Sequence, residues 1–154
     1  MCALVTPTHI IFGNAGDSRG ILVETAGGGA PAIALATEDH KPNNPEESKR
    51  IHDSGNHVSM KRVNGDLAVS RALGDFAYKN YMEGESAQRM PPEKQAVTCD
   101  PEFFFKARAA TDAMLVLACD GIWDVMDNLT VAETLFQVRP PRQDPSPPAH
   151  PPTR

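Results

Sequence analysis

Apolar residues run without a charge from Met114 to Cys119 and stop at Asp120. A run of this length is too short for a membrane span and reads as a strand buried on both faces. Gly121 then lets the backbone turn, and Ile122, Trp123, Val125 and Met126 resume an apolar face. Two carboxylates, Asp120 and Asp124, are thereby delivered from the end of that strand. A carboxylate in such a place is costly unless it is paired, hydrogen-bonded or bound to a cation. It is either a turn aspartate capping the next element or a ligand for a hard metal.

The same reading applied from the start of the chain predicts strands over Met1–Thr6 and His9–Gly13, with a turn at Pro7-Thr8. A chain that opens in an apolar strand needs a partner strand, and the expectation leaves open whether the sequence holds it. The polar stretch Asn14–Arg19 separates Phe12 from Ile21–Val23 and suggests an antiparallel hairpin with Gly16 in its tight turn. Asp17 falls at a strand end. Ala30–Thr37 is a further strand-like run, broken by Glu38–Asn44. Asn44, Pro45 and Glu47 look like an N-cap, a first-turn proline and the reciprocal carboxylate of a capping box, starting a short helix that stops at Gly55. Ile51 is almost its only apolar anchor, and His40 and His52 lack a second histidine at ligand spacing. Leu67–Leu73 has the make-up of a short helix ended by Gly74-Asp75. Val97–Lys106 is strand-like through its three phenylalanines, with a turn at Asp100-Pro101. Val131–Val138 begins a helix capped by Asn128 or Thr130.

Composition changes this picture at one end. Seven of the 14 prolines follow residue 139, so residues 139–154 form a proline-rich tail that cannot bury apolar surface. The other 138 residues are enough for one small domain. A net charge of −5 gives no basic field and argues against nucleic acid as the main partner. No stretch approaches a membrane span, and the first residues lack a signal-peptide pattern. The three cysteines are odd in number and widely spaced, so neither a disulfide framework nor a zinc motif is expected. A reducing setting, cytoplasmic or nuclear, follows.

Three phrases then fall into one order: Asn14–Arg19 (NAGDSR), Arg62–Phe76 (RVNGDLAVSRALGDF) and Ala118–Met126 (ACDGIWDVM). Asp39-His40-Lys41-Pro42 lies between the first two, and Asp100-Pro101-Glu102 between the last two. This series resembles the metal-dependent serine/threonine protein phosphatases of type 2C, the PPM family, over about residues 2–135, and corresponds to the second half of that family's domain. The resemblance implies an α+β fold, a sandwich of two antiparallel sheets flanked by helices, here incomplete. It implies Mg²⁺ or Mn²⁺ between the sheets, and hydrolysis of phosphoserine or phosphothreonine in protein substrates by a metal-activated water, without a phospho-enzyme.

Residue by residue, Asp120 matches the family's metal-binding aspartate at a strand end. Asp17 matches an aspartate of a further, weaker metal position, and Asp124 another candidate for that position. Gly121 would let the backbone approach closely. Arg19, Arg71 and Asp75 match positions read as structural supports. The family's phosphate-binding arginine, the acidic pair beside it, and its Asp-Gly-His-Gly segment have no match here. The downstream metal-binding Asp-Asn is also missing, since Asp127-Asn128 follows the Trp-Asp phrase too closely. The expectation is a partial phosphatase domain over residues 1–138. The alternatives are a catalytically inactive phosphatase-like fragment that acts as a binding module, and a gene-model fragment.

Overall fold

The computed structural model describes residues 1–25, 29–79 and 90–138. Strand β1 (Cys2–Val5) turns back through Pro7 and Thr8 into β2 (His9–Asn14), with Cys2 opposite Gly13 and Val5 opposite Ile10. The partner that the opening strand needs is therefore the next strand. The chain then crosses to a second sheet, where β3 (Arg19–Glu24) pairs with β4 (Ala32–Ala36). Helix α1 (Pro45–Asp53) follows, then a two-stranded ribbon of β5 (Val58–Ser59) and β6 (Arg62–Val63). Strand β7 (Glu102–Ala107) returns to β2, and β8 (Asp112–Ala118) to β3. Short 3-10 turns at Phe76–Tyr78 and Pro92–Lys94 precede β7, and helices α2 (Asp120–Trp123) and α3 (Asn128–Val138) follow β8.

The two main sheets have the orders β1-β2-β7 and β4-β3-β8, with every pairing antiparallel. Alternate side chains of each strand point to opposite faces, and the inner faces meet. Ile10 and Phe12 of the first sheet bury Leu22 of the second, with Ala3, Phe104, Ala34, Leu35 and Leu115 around them. Gly20 sets how closely the sheets approach, because a Cβ there would lie 2.3 Å from Met1 Cε and 2.8 Å from Phe12 Cε1. On the outer face of the second sheet, Ile21 and Val23 pack under Trp123, Val131 and Ala132 of the two C-terminal helices. On the outer face of the first sheet, Leu4, Phe103 and Phe105 lie together and are each more than half exposed among the described residues. Away from the sandwich, Ile51 of α1 is fully buried against Val63, Ala96 and Val97. The result is an incomplete α+β sandwich with helices on one outer face.

Five local expectations need correction. Asn14–Arg19 is not a hairpin turn. It carries the chain from one sheet to the other, since β2 pairs with β1 and β7 while β3 pairs with β4 and β8. Gly16 has a φ of 140°, a backbone setting in which a side chain would be strained. The Met114–Ala118 strand is not buried on both faces: β8 is an edge strand, and Leu117 is 45% exposed. An uncharged run signals a strand but not how many neighbours it has. Leu67–Leu73 is not a helix. Its backbone joins β-bridges instead, Val63 to Leu67 and Arg71 to Thr98, so its apolar residues pack from an extended chain. Glu47 is not a capping-box carboxylate, and Asn44 makes no side-chain cap; its Nδ2 donates to Asp39 O at 2.9 Å. Finally, Asp127 caps α3, its Oδ1 accepting the Thr130 N–H at 2.7 Å, in place of Asn128 or Thr130. The proline-rich tail, residues 139–154, lies outside the described residues.

Candidate cation corner

The sheet crossing and the end of β8 together build the site. Asp17 stands two residues before β3, on the crossing segment. That segment is pinned by His40, which is 2% exposed: the Gly16 N–H donates to His40 Nδ1 at 3.2 Å, leaving Nε2 to donate to Glu102 at 3.2 Å. Burial, then the nearby Arg71 charge, hold the His40 pKa below its usual value against the opposing pull of Glu102. The His40 N–H also donates to Gly16 O at 3.0 Å, so residues 39–41 run alongside the crossing. This alignment brings Lys41 Nζ to 2.6 Å from Asp17 Oδ2.

Arg19, at the start of β3, ties the corner to the helices. Its guanidinium forks onto Asp39 at 2.8 and 2.9 Å, donates to Asn128 Oδ1 at 2.7 Å, and stacks over the Trp123 ring at 5.2 Å. The bidentate carboxylate contact raises its pKa further, against the cost of partial burial. Trp123 is itself fixed by donating Nε1–H to Ala118 O at 2.8 Å.

Asp120 opens α2 and Asp124 is its C-cap, with the Asp124 N–H donating to Asp120 O at 2.8 Å. Four residues apart on one helical turn, the two carboxylates lie on one face. Both are exposed, contrary to the expectation of burial, because β8 ends at the rim of an edge strand. Asp124 is close enough for its charge to act on both Lys41 and Arg19. Partial burial opposes charge on Lys41, but the Asp17 hydrogen bond and the charges of Asp17, Asp39 and Asp124 outweigh it and raise its pKa. Gly121 is exposed, with open room around it apart from Cys119 Sγ at 3.6 Å from the position of a Cβ.

Asp17 is thus held by Lys41, and the charge of Asp124 acts on Lys41 and Arg19, while Asp120 faces solvent with no side-chain hydrogen bond among the described residues. Lys41 was missed as part of the site; its only signal was its place in the Asp39–Pro42 phrase. Hard divalent cations need several converging oxygens. Among the described residues no group of three or more His, Cys, Asp or Glu could hold a metal, and Asp17 is already engaged by an ammonium. These residues alone do not fit a divalent-cation centre.

A family model described as protein phosphatase 2C matches residues 1–146. The chain belongs to the protein phosphatase 2C family. Metal dependence is a property of that family. The chain is 46% identical over 130 residues to protein phosphatase 1B of Rattus norvegicus, covering 84% of this chain and 30% of that protein. It is 45% identical over 134 residues to protein phosphatase ppm-1.A of Caenorhabditis elegans, covering 86% of this chain and 26% of that one. A solved phosphatase from a pathogenic strain of Toxoplasma gondii superposes with a TM-score of 0.67 at 34% identity, over 84% of this chain and 37% of that chain. The phosphatase 2C sandwich is therefore the fold, in part. The chain spans about 25–30% of the length of the curated relatives it matches. No helix among the described residues is long and apolar enough to cross a membrane.

Proposed function

We propose that residues 1–138 are a portion of a metal-dependent protein serine/threonine phosphatase domain that acts on phosphoserine and phosphothreonine in protein substrates. The observation that supports this most directly is the corner itself. Family membership supplies the reaction class; in support, the charges of Asp17 and Asp124 both act on Lys41, and Asp120 stands exposed at the strand end. In this reading Asp120, Asp124 and Asp17 are the oxygen donors this portion contributes to Mg²⁺ or Mn²⁺, and Gly121 keeps the backbone beside Asp120 open. The remaining donors come from outside the described residues.

A chimera tests it. Residues 1–138 would replace the matching segment of rat protein phosphatase 1B, and Mn²⁺-dependent hydrolysis of a phosphothreonine peptide would be followed. Turnover in the chimera, lost by more than a hundredfold in Asp120→Asn, is the expected result. A folded chimera with no turnover would overturn the reading. A second reading, a non-catalytic phosphatase-like module, is favoured for the 154 residues in isolation by the hold of Lys41 on Asp17. It predicts no hydrolysis by the isolated chain above its own Asp120→Asn control.

A further inference from the structure

The ribbon of β5 and β6 is closed by two residues, Met60 and Lys61, between the paired Ser59 and Arg62. Both have positive φ, 51° and 61°. Positive φ at the two central positions is what a type I′ turn demands, and Asn-Gly or Gly-Gly meets that demand without strain. Asn64 and Asp75 also lie in this region, but their short polar side chains tolerate it. Methionine and lysine have no such side chain, so the ribbon holds strain at both positions.

No contact among the described residues offsets that strain. Met60 is 89% exposed, and Lys61 is exposed with no hydrogen bond or ion pair among the described residues. The base of the ribbon, by contrast, is firmly set. Val63 is fully buried against Ile51. Asn64 braces the strand that leads in, its Oδ1 accepting the His57 N–H at 3.1 Å and its Nδ2 donating to Asn56 Oδ1 at 2.8 Å. Arg62 Nη1 donates to Asp66 O at 2.5 Å, which steadies an otherwise exposed guanidinium. Strain kept at an exposed tip on a rigid base points to a role outside the fold.

Beside the turn lies an open cavity of about 400 Å³, lined by Met60, Lys61, Arg62, Ala68, Asn43 and Lys41. Three cations and no carboxylate line it, in a chain whose net charge is −5. Lys41 is shared with the corner, because its ammonium rests on Asp17 at 2.6 Å. The cavity and the corner therefore adjoin along one side chain.

We propose that the β5–β6 turn reads protein substrates: Lys61 and Arg62 take the carboxylates of an acidic peptide segment, and Met60 takes an apolar side chain within it. The inference rests on the phosphatase reading for its place beside the phosphorylated residue, since the Lys41 wall puts such a segment next to the corner. The peptide contact itself stands on the turn alone. An unbranched methionine adapts to apolar partners of differing shape, and cations on a rigid base fix the sign of the charge they accept. The turn thus selects acidic flanks with an apolar residue over basic ones.

The test is binding of a short fluorescein-labelled, unphosphorylated peptide of Asp, Glu and Leu to the full 154-residue chain, followed by fluorescence anisotropy with no turnover involved. The parent should bind it about tenfold more tightly than a matched peptide of Lys and Leu. Met60→Asn combined with Lys61→Gly installs the residues a type I′ turn prefers. This paired variant should melt at a higher temperature than the parent, yet bind the acidic peptide about tenfold more weakly. Lys61→Glu, a change at an exposed position, should weaken binding by at least as much. A stabilised paired variant that keeps full peptide binding would overturn the proposal, as would a parent that does not distinguish the acidic peptide from the basic one. In the chimera, the paired substitution should raise KM for a phosphothreonine peptide with acidic flanks more than it lowers kcat, and an effect confined to kcat would overturn the substrate-reading role. An inactive chimera, together with turn-dependent peptide binding by the chain, would sink the phosphatase reading and leave the acidic-peptide contact standing.

Discussion

Arg71 and Glu47, 24 positions apart in sequence, meet at 2.7 Å with both side chains largely out of water. Glu47 also accepts from Arg50 at 2.7 and 2.9 Å and from the Ser70 hydroxyl at 2.5 Å, and Arg71 reaches on to Asp100 O at 3.2 Å. One carboxylate therefore ties α1 to the extended segment that sequence patterning reads as a helix. Removing one member of a buried, multiply bonded pair leaves an uncompensated charge, which costs about 3–5 kcal/mol. Glu47→Gln and Arg71→Met should each lower the stability of the chain by about that much, measured by urea unfolding. A loss below 1 kcal/mol in both would show that the network is solvated.

The same carboxylate gives a pH dependence. Burial pushes the Glu47 pKa up, but the hydrogen bonds from Arg50, Arg71 and Ser70 outweigh it and hold it at about 2, below its ordinary 4.5. A pKa depressed on folding stabilises above the unfolded value, and the gain fades as pH falls from 4.5 toward 2. Allowing for solvent screening, the contribution is roughly 2 kcal/mol. His40, held neutral chiefly by burial, adds an earlier step, since stability falls once pH drops below its ordinary 6.5. Thermal melts across pH 7 to 3 should show two stages, with Glu47→Gln removing the lower one.

Trp123 is the one tryptophan in the chain and lies between the two candidate ligands of α2. The residue is 7% exposed, its ring stacked under Arg19 and its Nε1–H donating to Ala118 O. Trp123→Phe should cost about 1 kcal/mol for the lost hydrogen bond, and Trp123→Ala about 3–5 kcal/mol for the cavity. Equilibrium unfolding followed by circular dichroism separates the two. Equal losses would mean that packing contributes nothing beyond the bond.

Asp127 caps α3 through the Thr130 N–H at 2.7 Å. Asp127→Ala should lower the denaturant midpoint, whereas Asp127→Asn, which keeps the accepting oxygen, should leave it nearly unchanged. Matched denaturant midpoints for the two variants would argue against the cap.

Gly20 faces the other sheet where no Cβ fits. Gly20→Ala would press on Met1 and on the Phe12 ring, whose nearest atom would be 2.8 Å away. The cost should be about 1–3 kcal/mol, read from thermal melting. An unchanged melting temperature would mean that the two sheets slide apart freely at this point.

Much of this fold is legible from local pattern. Strands β1 and β2 follow from two apolar runs around Pro7-Thr8, though not their pairing with each other, and α1 follows from Pro45 and its stop at Gly55. The sheet crossing is not legible, because a tight turn and a passage between layers use the same residues, Gly16 and Asp17, and differ only in what β3 later pairs with. Edge position hides for the same reason: Leu115 and Leu117 look alike in sequence, yet only the second is exposed. For the site, motif order points to Asp17, Asp120 and Asp124, while the partner that holds Asp17 is Lys41. Its nearness comes from the hydrogen bonds between His40 and Gly16, which no spacing along the chain reveals. Glu47 resembles a capping residue because its position fits one, and only tertiary packing brings Arg71 to it.

The first sheet's outer face has a consequence at the scale of the whole molecule. Leu4, Phe103 and Phe105 lie together on it, with the two aromatic rings 6.3 Å apart, while the opposite flank of the sandwich is clad in helices. An apolar sheet face open to water is drawn to any boundary where water ends. The chain will gather at air–water and plastic boundaries with this sheet turned away from the solvent, and its disappearance from dilute solution will scale with the area of the vessel rather than with the concentration of protein.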